Sequence, residues 1–268
     1  MYQTDPPRAP REYLPTMYDL PSENPEEPGL PDEFHDFQPK LLRETFCPPN
    51  YAKNDIFVAA DLNLYYDVRH PQWYKRPDWF AVLGISRLYE QRDLRLSYVL
   101  WQEGVSPSIV IELLSPSTEK EDLGQTLRDV DHPPTKWEVY QNILRVPYYV
   151  VFDRCTDRLR IFGLREGRYQ ELPLESNRLW ISELKLGLGL WQGYYQDIKR
   201  LWLRWYDESG NWIPTSPETA GQERYRAEQA EHRAEQERQR AEQERQRAER
   251  LAARLRELNI SLDDEQIG

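Results

Sequence analysis

The stretch Pro107-Ser-Ile-Val-Ile-Glu-Leu-Leu-Ser-Pro116 decides the fold of this chain. From Ile109 to Leu114 every residue except Glu112 is a large aliphatic, and turn residues close both ends. A short aliphatic run of this kind is typical of a strand covered on both faces of a sheet. We therefore expect Glu112 to be at least partly desolvated. A buried carboxylate is costly unless a cation, a metal or hydrogen-bond donors compensate it, so the sequence predicts partners for Glu112.

A second carboxylate precedes another strand-like run. Arg76-Pro-Asp78 leads into the apolar segment Trp79–Ile85, and the proline marks the beginning of the strand, with Asp78 as its first paired residue. A third run, Arg95–Trp101, lies between this segment and Glu112. We expect three sequential, neighbouring strands that bring the two acids together. Two carboxylates on adjacent strands suit Mg²⁺, which takes one or two carboxylates plus water and substrate phosphate.

The order of these pieces resembles the PD-(D/E)XK superfamily of metal-dependent nucleases. A Pro-Asp opens one strand, and a hydrophobic strand ends in Glu. The four segments that carry the resemblance are Arg76–Trp79, Pro107–Thr118, Lys136–Tyr140 and Val146–Asp153. Together they are similar to the Uma2 (Uma-two) family of bacterial endonucleases within that superfamily.

The resemblance implies a fold, a reaction and a set of residues. It implies an α/β, restriction-endonuclease-like core with a mixed central β-sheet flanked by helices, and metal-dependent hydrolysis of DNA phosphodiester bonds. Asp78 and Glu112 would bind Mg²⁺ or Mn²⁺ with the backbone carbonyl of Leu113. The superfamily lysine that assists the attacking water stands two positions after the Glu, where this chain has Leu114. The Uma2 family supplies it from the following helix, which makes Lys136 the candidate.

Further elements follow the Glu112 strand. Ser117 or Thr118 is expected to cap a helix whose first turn carries three acids, Glu119, Glu121 and Asp122. A second helix, 136–144, should pack on the sheet through Trp137, Tyr140, Ile143 and Leu144. Lys136 lies at the positive end of that helix, which indicates a carboxylate or phosphate partner. Arg158–Gly163 is interpreted as an exposed edge strand.

Several other polar residues have both a functional and an ordinary interpretation. Asp61 is a candidate third acid or a turn residue, and Glu44, on a short helical segment, either reaches the metal site or lies on the surface. Lys120 is the fallback for the missing lysine. The histidines are interpreted as ordinary; they are His35, His70, His132 and His232.

Composition divides the chain into three predicted parts. Residues 1–49 contain eleven of the 21 prolines, and within residues 1–36 there are nine acidic and two basic residues, which predicts an extended acidic arm. Residues 50–215 would form the nuclease-like domain with a Trp-rich C-terminal hairpin region. Residues 216–268 would form a helical coiled-coil tail.

The tail repeats Arg-Ala-Glu every seven residues. Its alanine seam comprises Ala227, Ala234, Ala241 and Ala248, and the leucines Leu251, Leu255, Leu258 and Leu262 extend it. A seven-residue repeat predicts a left-handed coiled coil, but alanines bury little area. We expect at most a modest homodimer.

Composition also limits the class of protein. The two cysteines, Cys47 and Cys155, exclude a disulfide framework, and no basic-then-apolar N-terminus or long apolar run is present. A reduced, cytoplasmic protein with no membrane partner is expected. The net charge of −11 does not predict strong non-specific DNA binding, so DNA as partner is implied by the resemblance alone.

Two non-enzymatic alternatives stay open at this point. In the first, Leu114 signals a nuclease-like core that has lost its lysine and serves as a scaffold, which self-associates or binds partners through the tail. In the second, the Trp-rich segment 180–213 binds carbohydrate or peptide. The retained pair of Asp78 and Glu112 favours the enzyme.

Overall fold

The computed structural model describes residues 32–114, 122–125 and 132–257. The chain divides into two compact units between Ile213 and Pro214, and the second unit contains a long helix. The first unit is a mixed α/β structure with one large and two small sheets. The α/β class and the long C-terminal helix agree with the sequence prediction, whereas a coiled coil stays a prediction.

Six strands form the central sheet. In spatial order they are β1 (Ile56–Ala59), β4 (Trp79–Leu83), β6 (Ile109–Leu113), β7 (Tyr148–Asp153), β8 (Arg158–Arg165) and β9 (Arg168–Glu171). β6 and β7 run parallel, and the other neighbours are antiparallel. The sheet is therefore mixed, and its most aliphatic strand, β6, lies inside it with all five residues buried.

Two small sheets complete the strand inventory of the described residues. One comprises β2 (Leu64–Tyr65), β3 (Tyr74–Lys75) and β5 (Tyr98–Val99); the other comprises β10 (Arg178–Ile181), β11 (Leu186–Tyr195) and β12 (Ile198–Tyr206). The second sheet contains the Trp-rich segment. Trp202 and Trp205 are buried in it, which supports core packing as the role of these aromatic side chains.

Two strand predictions were wrong. β5 does not lie between β4 and β6, because only two residues of the segment 95–101 pair, and they pair with β2. β4 and β6 are direct neighbours. β8 is not an edge strand, because β9 pairs with it, and Arg160 on β8 forms an ion pair with Glu171 on β9 at 2.7 Å. Arg160 therefore has a cross-strand partner and does not lie at an open edge.

Helix α1 (Glu33–Thr45) forms within the segment predicted as an extended arm. Asp32 caps it by accepting from the His35 N–H at 3.1 Å. The buried positions of α1 follow a helical period despite an internal proline; they are Phe34, His35, Gln38, Pro39, Leu41, Leu42 and Thr45. This apolar face outweighs the acidic and proline-rich composition that predicted an arm.

The described residues also contain a 3₁₀ turn, Lys53–Asp55, and three further α-helices. α2 spans Leu100–Glu103, α3 spans Lys136–Glu138 and continues as a π-helical turn over Val139–Ile143, and α4 spans Ser216–Glu257. The wider π turn rotates the following residues, so that Leu144 is buried but Ile143 is exposed. The prediction that Ile143 packs on the sheet was therefore wrong.

The two faces of the central sheet carry separate apolar clusters. One cluster joins α1 and the tryptophans of β12 to Trp79, Ile109, Ile111 and Leu113. The other joins Val139, Tyr140 and Leu144 to Phe80, Val110 and Val151. Consecutive residues of β6 thus enter opposite clusters, and both faces of the strand are covered. No helix within the described ranges is both long and apolar enough to cross a membrane.

Candidate functional site

The site begins where the pairing of β4 and β6 ends. The last pair joins Trp79 and Ile111, so continuation of the register would set Asp78 opposite Glu112 and then Pro77 opposite Leu113. Proline has no N–H for a ladder, and β4 starts one residue later than predicted. The Leu113 N–H donates instead to Asp78 Oδ2 at 2.6 Å, and the Asp78 N–H donates to Glu112 Oε2 at 3.3 Å. The two predicted acids thus meet at one point of the sheet.

Glu112 is fully buried and has side-chain donors on both of its oxygens. Tyr140 donates its hydroxyl to Oε1 at 2.7 Å, and Lys136 donates to Oε2 at 3.0 Å. Burial raises the pKa of Glu112 well above its ordinary value, and Lys136 opposes that rise only in part. The predicted compensation of this carboxylate is therefore supplied by an ammonium and a phenol.

Lys136 reaches Glu112 from the first residue of α3. The helix begins with a capping box, in which Thr135 accepts from the Glu138 N–H and Glu138 accepts from the Thr135 N–H. The Lys136 ammonium lies 3.0 Å from Glu112 and 3.1 Å from Asp122. Burial lowers the pKa of Lys136, but the charges of Asp122 and Glu112 outweigh it and raise that pKa well above its ordinary value. The carboxylate partner that the sequence predicts for this lysine is present.

Asp122 is a site residue that the sequence reasoning missed. It was interpreted as a first-turn acid of a helix, yet it is buried against Lys136. The Tyr149 hydroxyl donates to the Asp122 backbone carbonyl at 2.9 Å and fixes this part of the chain. Nothing in the local sequence distinguishes Asp122 from the acids before it, because its burial depends on a lysine 14 positions later. Ser117, Thr118, Glu119 and Glu121 lie outside the described residues.

His35 is the second residue that was missed. Its Nε2 lies 3.0 Å from the Leu113 carbonyl oxygen, and its Nδ1 lies 3.0 Å from Asp32 Oδ1. Burial lowers the pKa of His35, but the contact with Asp32 and the charge of Asp78 outweigh it and raise that pKa. The helical spacing of His35, Gln38 and Leu42 was the available signal, since all three lie on the buried face of α1.

Other candidates lie at the rim of the site or away from it. Asp61 pairs with Arg76 at 2.7 Å, and burial raises the pKa of its carboxyl, with Asp78 acting in the same direction. Glu44 accepts from the Tyr195 hydroxyl at 3.1 Å, near the opposite end of α1 from His35. Lys120 lies outside the described residues.

The remaining histidines do not enter the site. His70 lies 2.8 Å from Asp67 and stacks on Trp73, with ring centroids 3.9 Å apart. His132 is exposed, and His232 is an exposed residue of α4.

A small set of oxygen atoms could serve as ligands of a hard divalent cation. It consists of Asp78 Oδ1, which accepts no hydrogen bond from the described residues, the carboxylate of Glu112 and the carbonyl of Leu113. Asp78 also forms no ion pair within the described part of the chain. Mg²⁺ needs only one or two carboxylates in addition to water and phosphate. Among the described residues, no group of three or more His, Cys, Asp and Glu is arranged to hold a metal, so this smaller set is the candidate.

Comparisons with known proteins bear on the family. A model of the Uma2 family, described as "Putative restriction endonuclease", matches residues 12–198, and no curated protein matches. One similar solved structure is a crystal structure titled "a putative nuclease belonging to DUF820 from Anabaena variabilis ATCC 29413". That match has a TM-score of 0.34 and 8% identity, and it covers 49% of this chain and 63% of the other.

The family match extends beyond the segments that carry the resemblance. It includes α1 and β11 as well as Asp78, Glu112 and Lys136. It covers well over half of the 268 residues. The chain therefore belongs to the Uma2 family, which is described as "Putative restriction endonuclease".

Proposed function

We propose that this protein hydrolyses DNA phosphodiester bonds with the help of Mg²⁺ or Mn²⁺. The observation that carries the proposal is the convergence of Asp78, Glu112 and Lys136 from separate strands and a helix. The family description supports DNA as the substrate. The lysine that the superfamily has after the Glu is absent at Leu114, and the Lys136 ammonium supplies the same group 3.0 Å from Glu112.

Two carboxylates and one carbonyl would hold the cation. They belong to Asp78, Glu112 and Leu113, and the hydrogen bond from the Leu113 N–H keeps Asp78 beside that carbonyl. A divalent cation bound there would supply charge neutralisation on the phosphate and a lowered pKa of water. Tyr140 orients Glu112 through Oε1, and Lys136 does so through Oε2, which also accepts from the Asp78 N–H; a second lone pair of Oε1 is left for a ligand.

Lys136 acts as a hydrogen-bond donor and not as a base. Because its pKa is raised, the amine stays protonated at neutral pH. An ammonium has three N–H donors, and Glu112 and Asp122 take two of them. The third can orient the attacking water or stabilise the charge that develops on a phosphate oxygen.

The proposed reaction forms one bond and breaks one bond. The oxygen of a water molecule attacks phosphorus and loses its proton to solvent, while the bond from phosphorus to one sugar oxygen breaks. The leaving sugar oxygen takes a proton from solvent. Asp78, Glu112 and Lys136 hold the reactants in place, and positioning of this kind is a large part of catalysis at phosphates.

The experiment combines metal binding with cleavage. Mn²⁺ is titrated into the purified chain by calorimetry, and the same samples are assayed for plasmid nicking. Asp78→Asn and Glu112→Gln should lose both properties. Glu171→Gln, which alters an exposed carboxylate paired with Arg160, is the matched control and should keep both. Metal binding and nicking that survive in the two site variants would overturn the proposal.

A second proposal concerns α4. We propose that this 42-residue helix mediates self-association through its alanine seam, because its described side chains are mostly exposed and its sequence repeats every seven residues. At about 1.5 Å per residue the helix is about 63 Å long. A catalytically inactive scaffold would self-associate through α4 but would not nick DNA. The plasmid assay therefore separates the scaffold from the enzyme.

A further inference from the structure

Two arginines meet at one aromatic ring beside the candidate site. Arg154 directly follows β7, and Arg200 lies near the start of β12. Their guanidinium carbons lie 5.7 Å and 4.3 Å from the centroid of the Phe34 ring on α1. Arg200 Nη2 also donates to the Arg154 backbone carbonyl at 3.4 Å. Three elements thus bring two permanent positive charges to the same place.

The positive charge of this pair is incompletely balanced. Arg154 forms an ion pair with Asp32 at 2.5 Å. Arg200 forms no ion pair with any described residue, and its hydrogen bonds go to the backbone carbonyls of Arg154 and Leu201. Asp157 and Asp32 act on Arg200 only at longer range. Burial and the charge of Arg154 lower the pKa of Arg200, so the two guanidiniums disfavour each other in the absence of an anion.

A short series of contacts connects the pair to the candidate metal ligands. Asp32 contacts Arg154 at 2.5 Å and His35 at 3.0 Å, and His35 contacts the Leu113 carbonyl at 3.0 Å. β6 and β7 run parallel, so Leu113, at the end of β6, and Arg154, directly after β7, lie at the same end of these two strands. Two side chains, Asp32 and His35, therefore connect Arg154 to the carbonyl of the candidate reaction centre.

We propose that Arg154 and Arg200 form a subsite for a phosphate of the DNA backbone other than the one that is cleaved. This inference rests on the proposed function. A chain of net charge −11 repels a phosphate backbone overall, so productive binding requires basic groups placed locally. Guanidinium groups suit this role because they donate to phosphate oxygens in a planar, bidentate manner.

If the two arginines only stabilise the fold, we expect a different result. The Arg200 guanidinium lies over Phe34 and, at 5.5 Å, over Trp202, and such stacking stabilises the fold whether or not DNA is present. Loss of that role would lower the thermal stability without changing the salt dependence of DNA binding. The number of phosphates contacted sets the slope of log Kobs against log salt, with about 0.9 per phosphate for duplex DNA.

The test measures binding without cleavage. Fluorescence anisotropy of a short fluorescein-labelled DNA duplex is recorded with the full chain in EDTA, between about 50 and 200 mM KCl. The variants are Arg154→Gln, Arg200→Gln and Arg200→Lys, and the control is Arg168→Gln. Arg168 is an exposed arginine at the opposite end of the β7–β8–β9 part of the sheet.

The subsite predicts a specific pattern of results. Arg154→Gln and Arg200→Gln should each weaken binding about tenfold and reduce the slope, by at most about 0.9 because both arginines bind the same phosphate. Arg200→Lys should have the same salt slope as the parent. Arg168→Gln should match the parent in both affinity and slope. Should one Gln variant not fold, the other and the Lys variant still give the comparison.

Two results would overturn the subsite. One is a slope in the arginine variants equal to that of the parent, with or without a lower melting temperature. The other is no binding of the duplex by the parent at 50 mM salt. A parent that binds, shows the predicted slopes and does not nick DNA would refute the proposed hydrolysis and leave the subsite standing.

Discussion

Lys136 lies between two buried carboxylates that come from different parts of the chain, one from β6 and one from the short segment 122–125. The position two residues after Glu112, which would hold the lysine in the superfamily, has an apolar side chain, Leu114. The free-energy cost of burying Glu112 is offset instead by the ammonium of Lys136, the first residue of α3, and by the hydroxyl of Tyr140. At the scale of the residue, the site is therefore a charge cluster whose members depend on one another.

Lys136→Met should destabilise the fold strongly. The substitution leaves Glu112 without its cation, and removal of one partner from a buried ion pair typically costs about 3–5 kcal/mol. Urea denaturation at neutral pH gives the free energy of unfolding. The double variant Lys136→Met with Glu112→Gln should lose less than the single variant, because the unpaired carboxylate is gone. Equal stability of parent and single variant would show that Lys136 does not compensate Glu112.

Stabilisation of the protein by Mn²⁺ should increase with pH. The folded-state pKa of Glu112 lies above its unfolded value, so the folded form holds this proton more tightly and loses stability as pH rises towards that pKa. A cation must displace the same proton, so the metal-induced rise in melting temperature is smallest at acidic pH. Thermal melts from about pH 5 to 8, with and without Mn²⁺, measure this rise in melting temperature. Glu112→Gln should abolish the increase, and a pH-independent effect in the parent would place the metal elsewhere.

At the scale of the element, α1 joins the candidate site to the core. Its first turn brings His35 to the Leu113 carbonyl, and Gln38 donates to the Leu203 carbonyl of β12 at 2.7 Å and accepts from the Leu203 N–H at 2.9 Å. Further along, Leu41 and Leu42 are completely buried. The helix therefore has a structural role and a role at the site, although its composition predicted neither.

Leu41→Ala tests whether α1 is an integral part of the first unit. Replacement of a fully buried leucine should lower the free energy of unfolding by about 2–5 kcal/mol, because it removes apolar contacts and leaves a cavity. Lys40→Ala is the control, since the Lys40 side chain is 54% exposed and should change stability by about 0.5 kcal/mol at most. Denaturant melts of both variants give their free energies of unfolding. A mild effect of Leu41→Ala, equal to that of the control, would mean that α1 does not pack as described.

The sequence allowed some elements to be predicted and left others hidden for physical reasons. β6 and the helix carrying Lys136 were evident because an aliphatic run and a helix-breaking His132-Pro-Pro segment are local signals. The separation of β5 from β4 and β6 was not evident, because strand pairing is decided by tertiary contacts. Asp122 was missed for the same reason, since its partner Lys136 is distant in sequence. His35 was missed although its spacing with Gln38 and Leu42 was a local signal of a buried helix face.

At the scale of the whole molecule, the chain consists of a compact α/β unit up to Ile213 and a second unit formed mainly by α4. All the residues proposed for metal binding and catalysis belong to the first unit. The net charge of −11 makes local basic groups such as Arg154 and Arg200 important for any contact with DNA. The second unit is proposed to contribute self-association and not chemistry.

Removal of residues 214–268 should leave the nicking rate per chain unchanged, because no proposed site residue is lost. Sedimentation of the full and shortened chains at matched concentrations reports any change in self-association. A shortened chain that sediments as a monomer, folds and nicks normally would assign assembly to α4 alone. A folded but inactive shortened chain would show that α4 has a part in the reaction.

The most direct test of the central claim is calorimetric titration of Mn²⁺ into the full chain, compared with Asp78→Asn and Glu112→Gln, with plasmid nicking measured on the same samples. The account predicts that the parent binds Mn²⁺ and nicks DNA, and that both properties disappear together in each variant, while Glu171→Gln keeps them. A parent that binds no Mn²⁺, or site variants that still bind and nick, would contradict it.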